Sequence, residues 1–176
     1  ACTDLKNNND DNDGDGGNEN SSPTTAANIL VPYFSCTGNT EKIAEMIARE
    51  TVGALHEIQP QIPYTEADLD YYSGGRADRE QADPAARPAI ANSVENMPDY
   101  DVIFLGYPIW HGQAPKIIYT FLESYDFSGK TIIPFCTSGS SGIGSSDDNL
   151  HPLATNADWK EGRRFASNTN AETVAT

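Results

Sequence analysis

Ile29-Leu30-Val31-Pro32-Tyr33-Phe34-Ser35-Cys36-Thr37-Gly38-Asn39-Thr40 runs from an apolar stretch into a hydroxyl-rich turn, and Ile43, Met46 and Ile47 follow at helical spacing. The pattern reads as strand, turn and helix start. The first N–H groups of a helix lack intrahelical partners, and the helix dipole favours an anion there. Ser35, Thr37 and Thr40 add hydroxyl donors, and Gly38 lets the backbone approach a ligand closely. Lys42, the first basic residue, already lies inside the helix. Neutral groups therefore do most of the holding, which suits a phosphate that is kept rather than transferred. The chain has no G-x-x-x-x-G-K-[ST] and no G-x-G-x-x-G here, which argues against an NTPase and against a dinucleotide crossing the helix start. The competing reading is an ordinary Ser/Thr turn with a capped helix.

Working outward, strand and helix patterns alternate, as in a parallel sheet covered on both faces. Strands are expected over 29–34, 54–58, 101–106, 131–136 and 159–165. Helices are expected over 39–51, 88–95 and 144–153, with a further one carrying Ile117, Ile118, Phe121 and Leu122 and Pro115 in its first turn. The stretch 59–87, rich in Pro, Gly and acids, reads as a long connection, and a short last helix follows the edge strand. Pro32 and Pro134 fall inside strands, so a local irregularity is expected at each.

The Ser35-x-Thr37-Gly38-Asn39-Thr40 turn is similar to the FMN-phosphate loop of flavodoxins. Phe104-Leu105-Gly106-Tyr107-Pro108-Ile109-Trp110 and Phe135-Cys136-Thr137-Ser138-Gly139-Ser140-Ser141-Gly142 resemble the two flavin-ring loops of a short-chain bacterial group in that family. Asp99-Tyr100-Asp101, Phe121-Leu122-Glu123 and Phe127-Ser128-Gly129-Lys130 also fit, so the resemblance runs over 28–165. It implies a flavodoxin-like three-layer α/β sandwich with a five-stranded parallel sheet in the order 2-1-3-4-5. It also implies FMN, with the phosphate on Ser35, Cys36, Thr37, Gly38, Asn39 and Thr40. The ring would lie between Tyr107, Pro108, Ile109, Trp110 and His111 on one loop and Thr137, Ser138, Gly139, Ser140 and Gly142 on the other.

Within that resemblance Trp110 is expected to offer a wide apolar face to the ring, with Tyr107 opposite it or packed beneath. Backbone amides of 137–144 would meet the flavin carbonyl edge. His111 departs from the family pattern, in which a second aromatic often follows the tryptophan. An imidazole there either faces solvent or stabilises reduced flavin and delivers a proton. Tyr64, Tyr71 and Tyr72 offer aromatic alternatives over the ring, and Arg76, Arg79 and Arg87 read as loop surface. His56, His111 and His151 share no metal-ligand spacing, so no metal is expected. Cys36 and Cys136 would end strands two places apart, roughly 9.6 Å. An unstrained disulfide needs Cα atoms within about 7 Å, so both are expected as free thiols.

The chain has 176 residues, enough for one domain, and a formal net charge of −15. Residues 1–27 contain Leu5 as their only large apolar residue and six acids against Lys6, leaving −10 for residues 28–176. Such a composition cannot offset its ordering entropy, so 1–27 is expected to be a disordered acidic tether to a flavodoxin-like domain over 28–176. Asp11-x-Asp13-x-Asp15-Gly16 is spaced like the start of a calcium loop, but Ser22 stands where the bidentate glutamate would fall. The acidic balance argues against nucleic acid and favours a basic redox partner protein, or a small quinone-like acceptor. Cys2 before an Asn/Asp-rich stretch resembles the start of a processed bacterial lipoprotein. That implies a lipid anchor at Cys2 and an extracytoplasmic, membrane-anchored location; without the lipid, the expectation is cytoplasmic. Three functions remain open at this stage: a low-potential electron carrier, an NAD(P)H-dependent quinone or azo reductase, and a tethered interaction module without flavin. Fold alone does not separate them.

Overall fold

The computed structural model describes residues 28–70 and 74–175. The expected tether, the calcium-like spacing, Cys2, Tyr71 and Tyr72 lie outside the described residues. β1 (Ile29–Tyr33) leads to α1 (Asn39–Thr51), then β2 (Ala54–Glu57), α2 (Arg76–Ala82), β3 (Val102–Pro108), α3 (Lys116–Glu123) and β4 (Thr131–Thr137). β5 (Asp158–Trp159), β6 (Arg163–Phe165) and the short α4 (Ala171–Ala175) complete the order. All pairings in the sheet are parallel, and the strand order is β2-β1-β3-β4-β5, with β6 also on β4. This is the 2-1-3-4-5 order of a flavodoxin-like α/β fold. No helix among the described residues is long and apolar enough to cross a membrane.

Strand residues alternate between two cores, because successive side chains point to opposite faces. Leu30, Ile103, Leu105, Tyr107, Ile132 and Cys136 join Ile117, Phe121 and Leu122 of α3 on one face. Val31, Tyr33 and Phe135 join Ile43, Ala44 and Ile47 of α1 on the other. Burial on both faces explains why these strands read as nearly continuous apolar runs. On the second face a cavity of about 400 Å³ lies against Ile47, Phe104, Phe135 and Val174. Of the motif residues only Phe104 and Phe135 line it, from within the strands and on the face away from the turns that follow them. At Gly106 a Cβ would sit 2.3 Å from Cζ of Phe135, its cross-strand partner, so the ring of Phe135 lies directly over that glycine.

Both prolines leave marks. Pairing of β1 with β3 joins Leu30 to Ile103 and Tyr33 to Gly106 but lapses between them, at Val31 and Pro32. Pro134 stays paired with β3, but on its other side the edge divides. β5 pairs Thr131 and Ile132, and β6 pairs Phe135 to Thr137. The single edge strand expected over 159–165 is therefore two strands, because Pro134 offers no N–H to bind the intervening residues.

Two helix expectations are corrected. Residues 88–95 are not helical. Ile90 bridges Pro60, and Gln61 and Ala91 bond Ala89 O and Gln59 O at 2.8 and 2.7 Å, so the segment runs extended against 59–61. The helix lies earlier, at Arg76–Ala82, inside the stretch read as connection. Arg76 and Glu80 form an i,i+4 ion pair of 2.8 Å there, and Ala77 is buried. Residues 144–153 form turns ending in a single 3₁₀ turn, His151–Leu153, instead of a helix.

Candidate functional site

The three motifs meet past the carboxyl ends of β1, β3 and β4, where open α/β sheets place ligands. Hydrogen bonds between the motifs hold them in one layer. Phe34 N–H donates to Gly106 O (3.0 Å), and Ile109 N–H donates to Thr137 O (3.1 Å). Thr40 Oγ1 and Thr137 Oγ1 lie 2.7 Å apart, both buried, and join the first turn of α1 to the end of β4.

The turn before α1 is shaped for an acceptor. Gly38 is the N-cap with φ +88°, and no side chain caps the helix. A Cβ at Gly38 would meet nothing within 4 Å, so glycine serves the left-handed backbone and not close packing. Gly38 N–H is taken by Ser35 Oγ at 3.1 Å, and Asn39 Nδ2 donates to Thr37 Oγ1 at 3.3 Å. The backbone amides of Thr37, Asn39 and Thr40 have no acceptor among the described residues. These three N–H groups, with the dipole of a 13-residue helix behind two of them, present a donor set suited to an anion. Beyond Thr37 an open cavity of about 800 Å³ is bounded by Thr65, Glu66, Leu69 and Asp70. Ser35 and Cys36 border a second one of about 320 Å³ with Pro60 and Tyr64.

Cys36 and Cys136 are free thiols. Cys136 is buried and Cys36 is exposed in its turn; desolvation by the surrounding groups pushes each thiol up to about 12, against a smaller opposing pull from Arg76 on Cys36 and from Arg164 on Cys136. Both are protonated and poorly nucleophilic at neutral pH.

The ring-loop residues divide. Tyr107 is fully buried, and its hydroxyl lies 3.0 Å from Ser146 Oγ, so it packs beneath the site. Burial raises its phenol. Pro108 ends β3, and Ile109 is half-buried above the core. Trp110, expected to offer a wide apolar face to the ring, is 7 % exposed. Phe34 and Tyr64 pack edge-on against it, with centroids 5.5 and 5.3 Å away. Tyr64 is itself held by its hydroxyl, which donates to Glu80 Oε2 at 2.5 Å, and by the Arg76 guanidinium 4.0 Å over its ring.

Arg76 is therefore no loop-surface cation. It bonds Glu80 and Ile62 O and covers Tyr64. Arg87 is likewise paired, with both Glu123 oxygens at 2.9 and 3.0 Å. His111 sits in the left-handed region (φ +51°), with Nε2 2.6 Å from Asp78 Oδ1 on α2. Gln81, also on α2, donates to Trp110 O and Ala114 O at 2.9 and 3.2 Å. The turn after β3 is thus tied to a helix that the sequence did not reveal.

The loop after β4 is anchored from the sheet edge. Arg164 on β6 donates Nε to Ser138 Oγ (2.9 Å) and Nη2 to Ser138 O (3.0 Å) and Gly139 O (2.8 Å). Ser138 Oγ also donates to Ser141 O, so this hydroxyl is spent within the loop. Gly139, Ser140 and Gly142 are exposed. Tyr64, Asp78, Gln81 and Arg164 are the residues that motif reading passed over or left unassigned. Only Tyr64 carried a signal, as an aromatic in the acid-rich loop. Asp147, Asp148 and His151 bring one ligand atom each within 4.8 Å of one another, a grouping that comparing the histidines alone does not disclose.

The flavodoxin family model matches residues 28–176. A crystal structure classed as a flavoprotein, from Bacteroides eggerthii, is 45 % identical, covering 84 % of this chain and 93 % of that one, with a TM-score of 0.80. A second from Bacteroides uniformis is 42 % identical, covering 85 % and 96 %, with a TM-score of 0.81. A Lactobacillus acidophilus flavoprotein solved in complex with FMN is 24 % identical over 79 % and 93 %, with a TM-score of 0.63, and shares the fold.

Proposed function

Because this chain belongs to the flavodoxin family, we propose that it binds FMN and works as a low-potential electron carrier. The observation that carries this reading is the uncapped start of α1, with the amides of Thr37, Asn39 and Thr40 left without an acceptor among the described residues beside a left-handed Gly38. A retained phosphate satisfies those donors without a lysine, and the FMN-bound Lactobacillus acidophilus protein of the same fold supports the choice of nucleotide. The ring would lie between the turn at Pro108 to His111 and the loop from Ser138 to Gly142. Full stacking on Trp110 requires Tyr64 to swing aside. When bound, FMN supplies the electron-transfer chemistry. The chain's part is to grip the phosphate, hold the two loops in register and exclude water from the buried side through Tyr107 and Ile109.

The pairing of Arg76 with Glu80 and of Arg87 with Glu123 favours a carrier over an NAD(P)H reductase, since neither guanidinium is left to clamp a second nucleotide. The acidic charge suits a basic redox partner protein or a neutral quinone-like acceptor and does not suit nucleic acid. A lipid at Cys2 would place the domain outside the cytoplasm on a membrane. Titration of flavin-free protein with FMN should quench flavin fluorescence at one equivalent, and riboflavin, which lacks the phosphate, should bind at least tenfold more weakly. Equal affinity for the two would refute the assignment of the turn. Slow reduction followed by visible spectra should then show two separated one-electron steps. Direct bleaching by NADH with quinone turnover would favour the reductase.

A further inference from the structure

We propose that Arg164 is the positioning residue of the flavin-ring loop: it turns the amides of Gly139 and Ser140 into a preset donor pair for the electron-rich edge of the flavin. The inference rests on the FMN reading above. In a trans peptide, C=O and the following N–H point in opposite directions. Arg164 Nη2 draws both the Ser138 and the Gly139 carbonyl toward itself, at 3.0 and 2.8 Å. The N–H groups of the same two peptides, Gly139 and Ser140, must then point together to the far side of the loop. Successive amides aimed the same way form a concave donor nest for an acceptor carrying negative charge.

These two amides have no acceptor among the described residues, whereas the neighbouring Ser138 N–H is spent on Phe165 O at 3.3 Å. Arg164 stands on β6, outside β4, so the opposite side of the loop is the side of β3 and the turn carrying Trp110. Its guanidinium makes no ion pair among the described residues and spends its bonds on this loop alone. In a chain of net charge −15, this cation beside the ring loop opposes the surrounding acids. Reduction adds negative charge to the flavin, so both the amide pair and the cation favour the reduced form over the oxidised one.

The test compares the full chain with Arg164→Met and Arg164→Lys. Wild-type protein labelled with ¹⁵N should show Gly139 and Ser140 amide shifts on addition of FMN that exceed the shift at Ser138. Arg164→Met should bind oxidised FMN about tenfold more weakly. It should lose a further tenfold on the two-electron-reduced form, a fall of about 30 mV in midpoint potential. Arg164→Lys, which keeps the charge without the planar fork, should recover most of the potential but not the affinity. Wild-type affinity and potential in Arg164→Met would overturn the inference while leaving FMN binding intact. If Arg164→Met does not fold, undisturbed Gly139 and Ser140 amides in FMN-bound wild type would overturn it equally. A wild-type protein that ignores FMN would overturn the parent reading, and this one with it.

Discussion

The Thr40–Thr137 pair offers a sharp test of how the site is held together. Thr40 is 1 % exposed and Thr137 is 5 % exposed, their hydroxyl oxygens are 2.7 Å apart, and neither hydroxyl has another hydrogen-bond partner among the described residues. Thr40→Val keeps the shape and removes the hydroxyl, leaving Thr137 Oγ1 unpaired between α1 and β4. An unsatisfied buried hydroxyl costs about 1–3 kcal/mol, whereas replacing both partners by apolar groups of like shape comes near to neutral. Each single variant should therefore lose about 1–3 kcal/mol. The double variant Thr40→Val/Thr137→Val should lose far less than the two singles combined, with a coupling of about 2–3 kcal/mol. With a urea slope of about 2 kcal/mol/M, each single variant should lower the unfolding midpoint by roughly 1 M. Fluorescence of Trp110 and Trp159 in flavin-free protein reports the transition. Strictly additive losses would show that the two hydroxyls do not depend on each other, and the link between the turn and the β4 loop would fall with them.

Gly38→Ala should cost about 1–2 kcal/mol, because an L-residue is strained at φ +88° while its methyl meets nothing. Gly38→Asn should cost less, and equal urea midpoints for all three proteins would refute the argument. Val52 closes α1 in the left-handed region (φ +54°) at 92 % exposure, so Val52→Gly should gain about 0.5–1 kcal/mol, read as a raised melting temperature. Half-buried His56, stacked on Phe121, has its imidazole pKa lowered by burial, partly offset by Glu57. The unfolded chain then takes up the proton first, so stability should fall as pH drops below about 6.5. His56→Gln should flatten that limb of a urea-midpoint profile; an unchanged slope would exclude His56 as its source. The depressed carboxyls Asp68, Glu123 and Asp126 act lower, below about pH 4.

Local signals in the sequence were enough for the strand–turn–helix at Ile29–Thr51, since apolar spacing, Gly38 and the hydroxyls all act within a few residues of one another. The same holds for β3, α3 and β4, and for the disturbances at Pro32 and Pro134, because a missing N–H is a property of the residue itself. The helix at Arg76–Ala82 escaped because flanking glycines and acids disguise it. Its stability comes partly from Arg76 covering Tyr64 and from Gln81 reaching the turn at Trp110. The stretch 88–95 went the other way, drawn into extended pairing with residues 59–61.

By itself, then, the chain determined β1, α1, β3, α3 and β4, the glycine- and hydroxyl-bearing turn before α1 and the family motifs that mark the ends of three strands. Only tertiary structure decided which donors remain available there. Thr40 is consumed by Thr137, Ser138 by Arg164 and Ser141, and the face of Trp110 by Phe34 and Tyr64, while the amides of Thr37, Asn39, Gly139 and Ser140 meet no acceptor among the described residues. Thr40 and Thr137 are 97 positions apart, and Ser138 and Arg164 are 26. Hydrogen bonds across such separations depend on strand order and register, which no short-range pattern of residue types encodes.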